Sequence, residues 1–286
     1  MNGLIRDIQC ERPKNINLLV DGVAQMLRQD QENHISPFLD SYFTLDLGQS
    51  LLVAEYVSLV NSLPNPVQQL KPFCITENAV AAATQYVKRK YPRVTPPRVI
   101  INCENEQCET LYVKIHLTRI LYEVIKTSMT QTIEHAQATG DHKHATSTLP
   151  PVRIWISDGQ EDVSFKIDAE DGGIPISSMP KVWSYTQPHF TPMVNPPSPL
   201  YPFKEYCIPS TFSLPFSRTL ARYFGGDLEI APADGYGTDF YLHLTSDVRV
   251  PENLPKDSSS SSTAGTRQLS SDPSWLFQLN WPGIQK

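Results

Sequence analysis

Gly235-Tyr236-Gly237 stands between two short alternating runs, Leu228–Ile230 and Phe240–Leu244. Glycine carries no Cβ, so a turn of this composition lets backbone N–H groups approach a phosphate; its commoner use is to close a plain hairpin. Both uses stay open on spacing alone. The five cysteines offer less: Cys10, Cys74, Cys103, Cys108 and Cys207 are odd in number and lack a C-x-x-C pair, which argues against a disulfide framework or a zinc site. Cys103 and Cys108 read as ordinary buried or surface thiols, with a reducing compartment as the default.

The elements that would position the glycine turn are legible around it. Leu214, Ser217, Leu220, Ala221 and Phe224 recur at helical spacing, Pro215 suits a first helical turn, and Gly225-Gly226 supplies a left-handed stop. Further upstream, Leu117 to Ala136 reads as one long helix. Val99–Ile101, Thr110–Ile115, Val152–Ile156 and Val163–Ile167 read as strands. Residues 15 to about 63 read as helices, with Leu18, Val20, Val23, Met26 and Leu27 on one face and a later apolar segment of Leu51, Val53, Val57, Leu59 and Val60. Pro64 and Pro66 break that part, and Ile75–Tyr91 forms another helix. Seven prolines between Pro188 and Pro209 preclude regular structure there. Pro251 to Gln268 reads as a disordered Ser/Pro-rich linker. Trp275, Leu276, Phe277, Leu279 and Trp281 then form an aromatic cluster that its own domain or another chain could bury.

Composition sets outer limits. With 286 residues, 40% hydrophobic and 19% charged, and a net charge of -6, the chain can bury a core in each of two domains and carries no basic stripe for nucleic acid. No apolar run approaches a membrane span. Residues 1–15 have neither the apolar core of a secretory signal nor the Arg- and Ser-rich character of a transit peptide.

The run Ser217 to Ile230, followed by Gly235 to Leu244, resembles the second glycine box of the mitochondrial protein kinases that include pyruvate dehydrogenase kinase and branched-chain ketoacid dehydrogenase kinase. Three further segments match in the same order. Phe38-Leu39-Asp40-Ser41-Tyr42-Phe43 resembles the family's FLDRFY helix, Leu121 to His135 its LFELxKNAMRATVEH helix, and Ile167 to Pro175 its ISDRGGGVP turn. The resemblance implies an α+β protein: a partial N-terminal helical bundle over residues 1–92, then a GHKL-type α/β sandwich with a mixed sheet over 93–247, the ATP-binding fold of gyrase and the histidine kinases. A linker and tail would occupy 248–286. It also implies that the chain starts inside the helical domain and is N-terminally truncated.

The same resemblance assigns roles and exposes departures. Glu123 falls at the position of the carboxylate that polarises the attacking serine hydroxyl, where its bland reading is a solvated helix residue beside Lys126. Thr127 stands where the family has the amide that holds magnesium, which makes it a candidate metal and nucleotide ligand of shorter reach. Ala169 replaces the aspartate that accepts the adenine amino group, and Asp171 replaces a glycine beside Gly172-Gly173. Asp168 or Asp171 could substitute only if the backbone were re-aimed, because neighbouring strand residues point to opposite faces. Gly173, Gly235, Gly237 and Thr238 remain as candidate nucleotide-binding residues. Pro209-Ser210-Thr211-Phe212-Ser213 replaces the glycine-rich phosphate lid. In the helical domain, Asp46, Gly48 and Ser50 stand where the family has R-x-S-x-R, and Ala54-Glu55-Tyr56 where it has N-Q-H.

Two readings of function follow from the resemblance. One is a pseudokinase-like binding or regulatory member of the family with a degraded ATP site. The other is an active ATP- and Mg2+-dependent protein-serine kinase acting on pyruvate or branched-chain ketoacid dehydrogenase. Both imply subunits of a 2-oxoacid dehydrogenase complex as partners and the mitochondrial matrix as location. Family members grip a partner subunit with a D-W tail, of which Asp272-Pro273-Ser274-Trp275 would be a variant, implying a homodimer.

Overall fold

The computed structural model describes residues 15, 18, 19, 22, 23, 32–139, 149–159, 162–185, 212–245 and 252–254. The expectations for the amino terminus, the proline-rich segment, Pro209 to Thr211, the linker and the aromatic tail lie outside these residues.

Helix α1 (Glu32–Asn61) is followed by strand β1 (Val67–Leu70), helix α2 (Pro72–Lys90), strands β2 (Val99–Cys103) and β3 (Thr110–Val113), and helix α3 (Lys114–Thr139). Strands β4 (Val152–Asp158) and β5 (Asp162–Ala169), the short helix α4 (Met179–Val182), helix α5 (Ser213–Tyr223), and strands β6 (Asp227–Ala233) and β7 (Gly237–Thr245) complete the order. Five strands form a mixed sheet in the order β2-β4-β5-β7-β6, with β2 and β4 parallel and every other neighbour antiparallel. This is the α+β architecture the family segments imply.

Cross-strand registry explains which face is dry. Ile154, Ile167, Phe240 and Ile230 lie in one row, and Ile156, Phe165, Leu242 and Leu228 in the next. Apart from half-buried Ile230, these side chains are almost wholly enclosed. They meet α3 and α5, whose own apolar positions Leu117, Ile120, Leu121, Val124, Ile125, Phe216 and Leu220 are fully buried. The other sheet face carries Trp155, Lys166, Tyr241 and Glu229 in one row, with the Lys166 ammonium over the Trp155 and Tyr241 rings and bonded to Asp239 at 2.9 Å.

Helix α5 is stapled to the sheet by charge. Arg218 and Arg222 both bond the Asp227 carboxylate, each Nε at 2.9 Å, and the Arg218 guanidinium lies over the Trp183 ring. Burial by itself would raise the Asp227 pKa, but bonds from Arg222 and then Arg218 outweigh it and hold the carboxyl below the usual range.

Three expectations need correction. The Thr110–Ile115 run is a strand only as far as Val113, since the helix begins at Lys114; this β3 pairs antiparallel with β1, a strand that the proline-bounded VQQL run did not announce. Its partner is remote in sequence, so tertiary pairing decided it. Of the apolar segment Leu51, Val53, Val57, Leu59 and Val60 near the end of α1, only Leu51 is core; Val53 and Val57 are half-buried. Leu39, Phe43 and Leu47 are buried against α5, whereas Leu52, Leu59 and Val60 are exposed. Phe38, Leu45, Leu52 and Leu59, seven residues apart, form an exposed stripe on the other side. That stripe adds to the buried row, so Ile35–Asn61 is, by length and composition alone, apolar enough to cross a membrane, contrary to expectation. The packing of Phe43 against Tyr185, Phe212 and Phe216 shows α1 instead as a helix of the folded unit.

On the sheet face away from α3, His243 Nδ1 lies 2.7 Å from the Ser164 hydroxyl. Burial lowers the imidazole pKa to about 4, against a smaller opposing effect of Asp227. From about pH 6.5 down to 4, the unfolded chain therefore takes up a proton here that the folded chain refuses, and stability falls as pH falls. Between pH 7 and pH 4 the wild type should lose on the order of 2–3 kcal/mol more unfolding free energy than His243→Gln. Equal losses in urea titrations of the two would exclude His243 as the source.

Candidate nucleotide site

Helix α3 forms the spine of the site. It carries apolar residues on almost every side, and from His116 to Met129 all but Thr118 are buried. A helix enclosed this way must neutralise whatever charge it carries inside. Glu123 is fully buried, with Oε1 3.4 Å from Arg119 Nη2 and Oε2 bonded to the Lys126 ammonium. The three are spaced i−4, i and i+3, so one helix face supplies the whole cluster. Arg119 lies over the Phe216 ring at 5.7 Å, and Lys126 sits 5.5 Å from the Tyr86 ring and 5.4 Å from that of Tyr122. The Tyr86 hydroxyl pKa is pushed up to about 12 by burial first and by the Glu123 charge second. Glu123 is thus a buried ion-cluster residue, not the solvated one its bland reading supposes. Thr127 is buried one turn further along.

The second part of the site lies at the far end of α3. Eight residues past Thr127, about 12 Å along the axis, His135 presses against Gly172 so closely that a Cβ there would collide with its ring. Gly172 and Gly173 have φ of +84° and +76°, and a Cβ on Gly173 would strike the carbonyl of Ala233. Only glycine meets both demands. The two left-handed residues dock the turn on the glycine turn between β6 and β7: Gly172 N–H donates to Tyr236 O at 3.2 Å, and Gly235 N–H to Gly172 O at 2.9 Å.

The alternation of β5 decides where the neighbouring acids point. Asp168 lies on the sheet face away from α3, bonded to Arg153 Nη1 at 3.2 Å, and is not brought to the site. Ala169 faces inward, opposite Thr238, and offers no acceptor. Asp171 turns inward. Its Oδ1 accepts from Gly173 N–H at 3.0 Å and from the Thr238 hydroxyl at 2.9 Å. Burial raises its pKa, against the lowering by those two bonds. The structure therefore brings Asp171, Gly173, Thr238, Gly235 and Gly237 together at one end, with Glu123 and Thr127 on the helix leading away.

Sequence reasoning missed Arg119 and His135. The i−4 spacing of Arg119 from Glu123 was the available signal, since an acid on an all-apolar helix face needs a nearby cation. His135 closes the family-like segment Leu121 to His135, but nothing in that match pointed to its contact with Gly172. Of the lid, only Phe212 and Ser213 are described. Phe212 is buried, with its ring against those of Phe43 and Tyr185, and so pins the entry to α5.

A five-stranded mixed sheet backed by a long buried helix, with two clasped glycine turns at its end, defines an α/β domain within an α+β fold. The chain belongs to the pyruvate dehydrogenase kinase family. It is 30% identical to the mitochondrial pyruvate dehydrogenase (acetyl-transferring) kinase of Arabidopsis thaliana over 269 residues, covering 88% of this chain and 69% of that protein. It is 32% identical to the corresponding kinase of Schizosaccharomyces pombe over 229 residues, 74% of this chain and 51% of that one. Kinase isozyme 3 of Homo sapiens is 29% identical over 228 residues, 74% of this chain and 52% of its own. The chain thus spans about half to two thirds of the length of these curated relatives. No family model matches it.

Removing the anion from the α3 cluster takes a buried counter-charge away from Arg119 and Lys126. Glu123→Ala should therefore cost about 3–5 kcal/mol of unfolding free energy, and Glu123→Gln, which retains a carbonyl acceptor, clearly less. Chemical denaturation of both variants tests this; a loss of under about 1 kcal/mol in Glu123→Ala would mean the cluster is not closed as described.

Proposed function

We propose that this chain is a non-catalytic member of its family, a pseudokinase-like binding or regulatory protein. The observation that carries the reading is the state of Glu123. A general base must present a lone pair to the hydroxyl it deprotonates. The Glu123 carboxylate is fully enclosed, with one oxygen facing Arg119 and the other bonded to Lys126. With its side chain about 1% exposed, the carboxylate is not open to an incoming serine hydroxyl.

The nucleotide contacts support the same reading. Ala169 leaves the adenine amino group without its family acceptor, and Asp171 already takes the Gly173 N–H and the Thr238 hydroxyl for itself. A lost hydrogen bond to a buried donor costs about 1–3 kcal/mol, roughly one to two decades in affinity. Thr127 reaches less far than an amide would toward a metal ion. The residues present thus do not fit a magnesium–ATP complex held in the family manner.

The relatives are named as mitochondrial kinases of pyruvate dehydrogenase. On that relation, this chain acts in mitochondria, in the matrix, against a subunit of a 2-oxoacid dehydrogenase complex, binding without phosphorylating it. The second reading, an active protein-serine kinase with Glu123 as base, rests on the inward turn of Asp171, which puts an acid beside Thr238 where an adenine acceptor would be useful.

Calorimetric titration with ATP and Mg2+ separates the two. The proposal expects no binding in the micromolar range and no phosphate transfer to dehydrogenase subunits. Micromolar affinity, with transfer abolished in Glu123→Gln while affinity persists, would establish the active kinase instead.

A further inference from the structure

Helix α1 is apolar on two sides, and only one of them is covered. Ile35, Leu39, Phe43, Leu47 and Leu51 are buried, whereas Phe38, Leu45, Leu52 and Leu59 follow one another every seven residues along the other side, between 56% and 82% exposed. Val60 and Leu63, each more than half exposed, widen the patch at its far end. Together these six show roughly 700 Å² of surface, more than the about 300–600 Å² of the largest apolar patch on a typical monomer and close to the about 800 Å² that each partner gives to a standard interface.

The spacing, shape and charge of this face select what covers it. A seven-residue repeat drifts only about 20° per repeat on a straight helix, so the stripe suits a shallow left-handed crossing with a second helix. Turned end for end about a twofold axis between Gly48 and Gln49, the stripe meets itself: Phe38 of one copy falls opposite Leu59 of the other, and Leu45 opposite Leu52. Beside Leu59 the surface has a hollow of about 390 Å³, lined also by Glu55, Ser58, Ser62 and Leu63. An apolar cavity of roughly 150 Å³ accepts benzene, so the hollow has room for the ring of Phe38. Charge selects the same direction. Along the stripe α1 carries Asp40, Asp46 and Glu55, and it has no Lys or Arg. A parallel pair would set each acid against its own copy, whereas the antiparallel pair sets them at the level of Val57, Leu51 and Tyr42. The missing cations also leave α1 without attraction for an anionic lipid surface.

We propose that α1 is a self-association surface, through which two copies of this chain pair antiparallel, with each Phe38 ring seated in the hollow beside the other copy's Leu59. The surface lies on the side of α1 away from α5 and takes no residue from the nucleotide site, so it stands or falls apart from the proposed function. It also uses no residue of the Asp272–Trp275 segment.

Sedimentation equilibrium of the full chain at roughly 1–100 µM should show a monomer–dimer equilibrium. Leu52→Glu changes a position that is exposed in the single chain, so it should leave the circular dichroism and the urea midpoint of the dilute protein unchanged while weakening self-association at least roughly tenfold. Because Leu45 lies opposite Leu52 only in the antiparallel pair, Leu45→Lys combined with Leu52→Glu in one chain should restore the dimer, and Leu45→Glu combined with Leu52→Glu should not. Phe38→Ala, which removes the ring without adding charge, should weaken the dimer too and keeps the test open if a charged variant does not fold. A dimer as tight in Leu52→Glu and Phe38→Ala as in the wild type, a Lys–Glu pair that restores nothing, or a wild type that stays monomeric throughout overturns the pairing. A monomeric wild type that dimerises once Trp275→Ala and Trp281→Ala are introduced would show that the tail, not a second copy, covers the stripe.

Discussion

Glu123 is a carboxylate in the interior of a protein, and it can remain there because Arg119 and Lys126 stand on the same face of the same helix. The arrangement fixes more than charge. Arg119 must reach over Phe216 of α5, and Lys126 must lie between Tyr86 of α2 and Tyr122 of α3 itself, so the rotation of α3 relative to both neighbours is set by where these cations can be accommodated. Apolar packing alone would tolerate a small rotation. A buried ion cluster does not, because each misplaced member becomes an unpaired charge in a medium of low dielectric. The sheet takes its place against the spine so defined.

Much of this was legible in the chain. Helix α3, helix α5 with its glycine stop, and strands β2, β4, β5, β6 and β7 follow from local periodicity, because each puts apolar residues on one face and little competes with that pattern. Strand β1 was not legible: Val67–Leu70 has no alternation of its own and becomes a strand only because β3 arrives beside it. The end of α1 misled for the opposite reason. Leu59 and Val60 continue an apolar segment that starts at buried Leu51, yet whether an apolar face is covered depends on what else lies against it, which no local pattern contains. At the site, the family segments placed Glu123, Thr127, Gly173 and Thr238 on the correct elements. The inward turn of Asp171 follows the alternation of β5 carried two residues past inward-facing Ala169, while Asp168 and Glu170 stay together on the Arg153 side.

The clasp between the two glycine turns bears on how such proteins are recognised at all. His135 fills the space beside Gly172, the Ala233 carbonyl that beside Gly173, and the Ala169 carbonyl that beside Gly237, and none of these three neighbours is a ligand. Any side chain at these positions would force the turns apart whether or not a nucleotide ever visited them. A signature assembled from such glycines therefore records the steric cost of a β-carbon. It would stay readable in a lineage long after phosphate transfer had ceased, because folding alone keeps it in place.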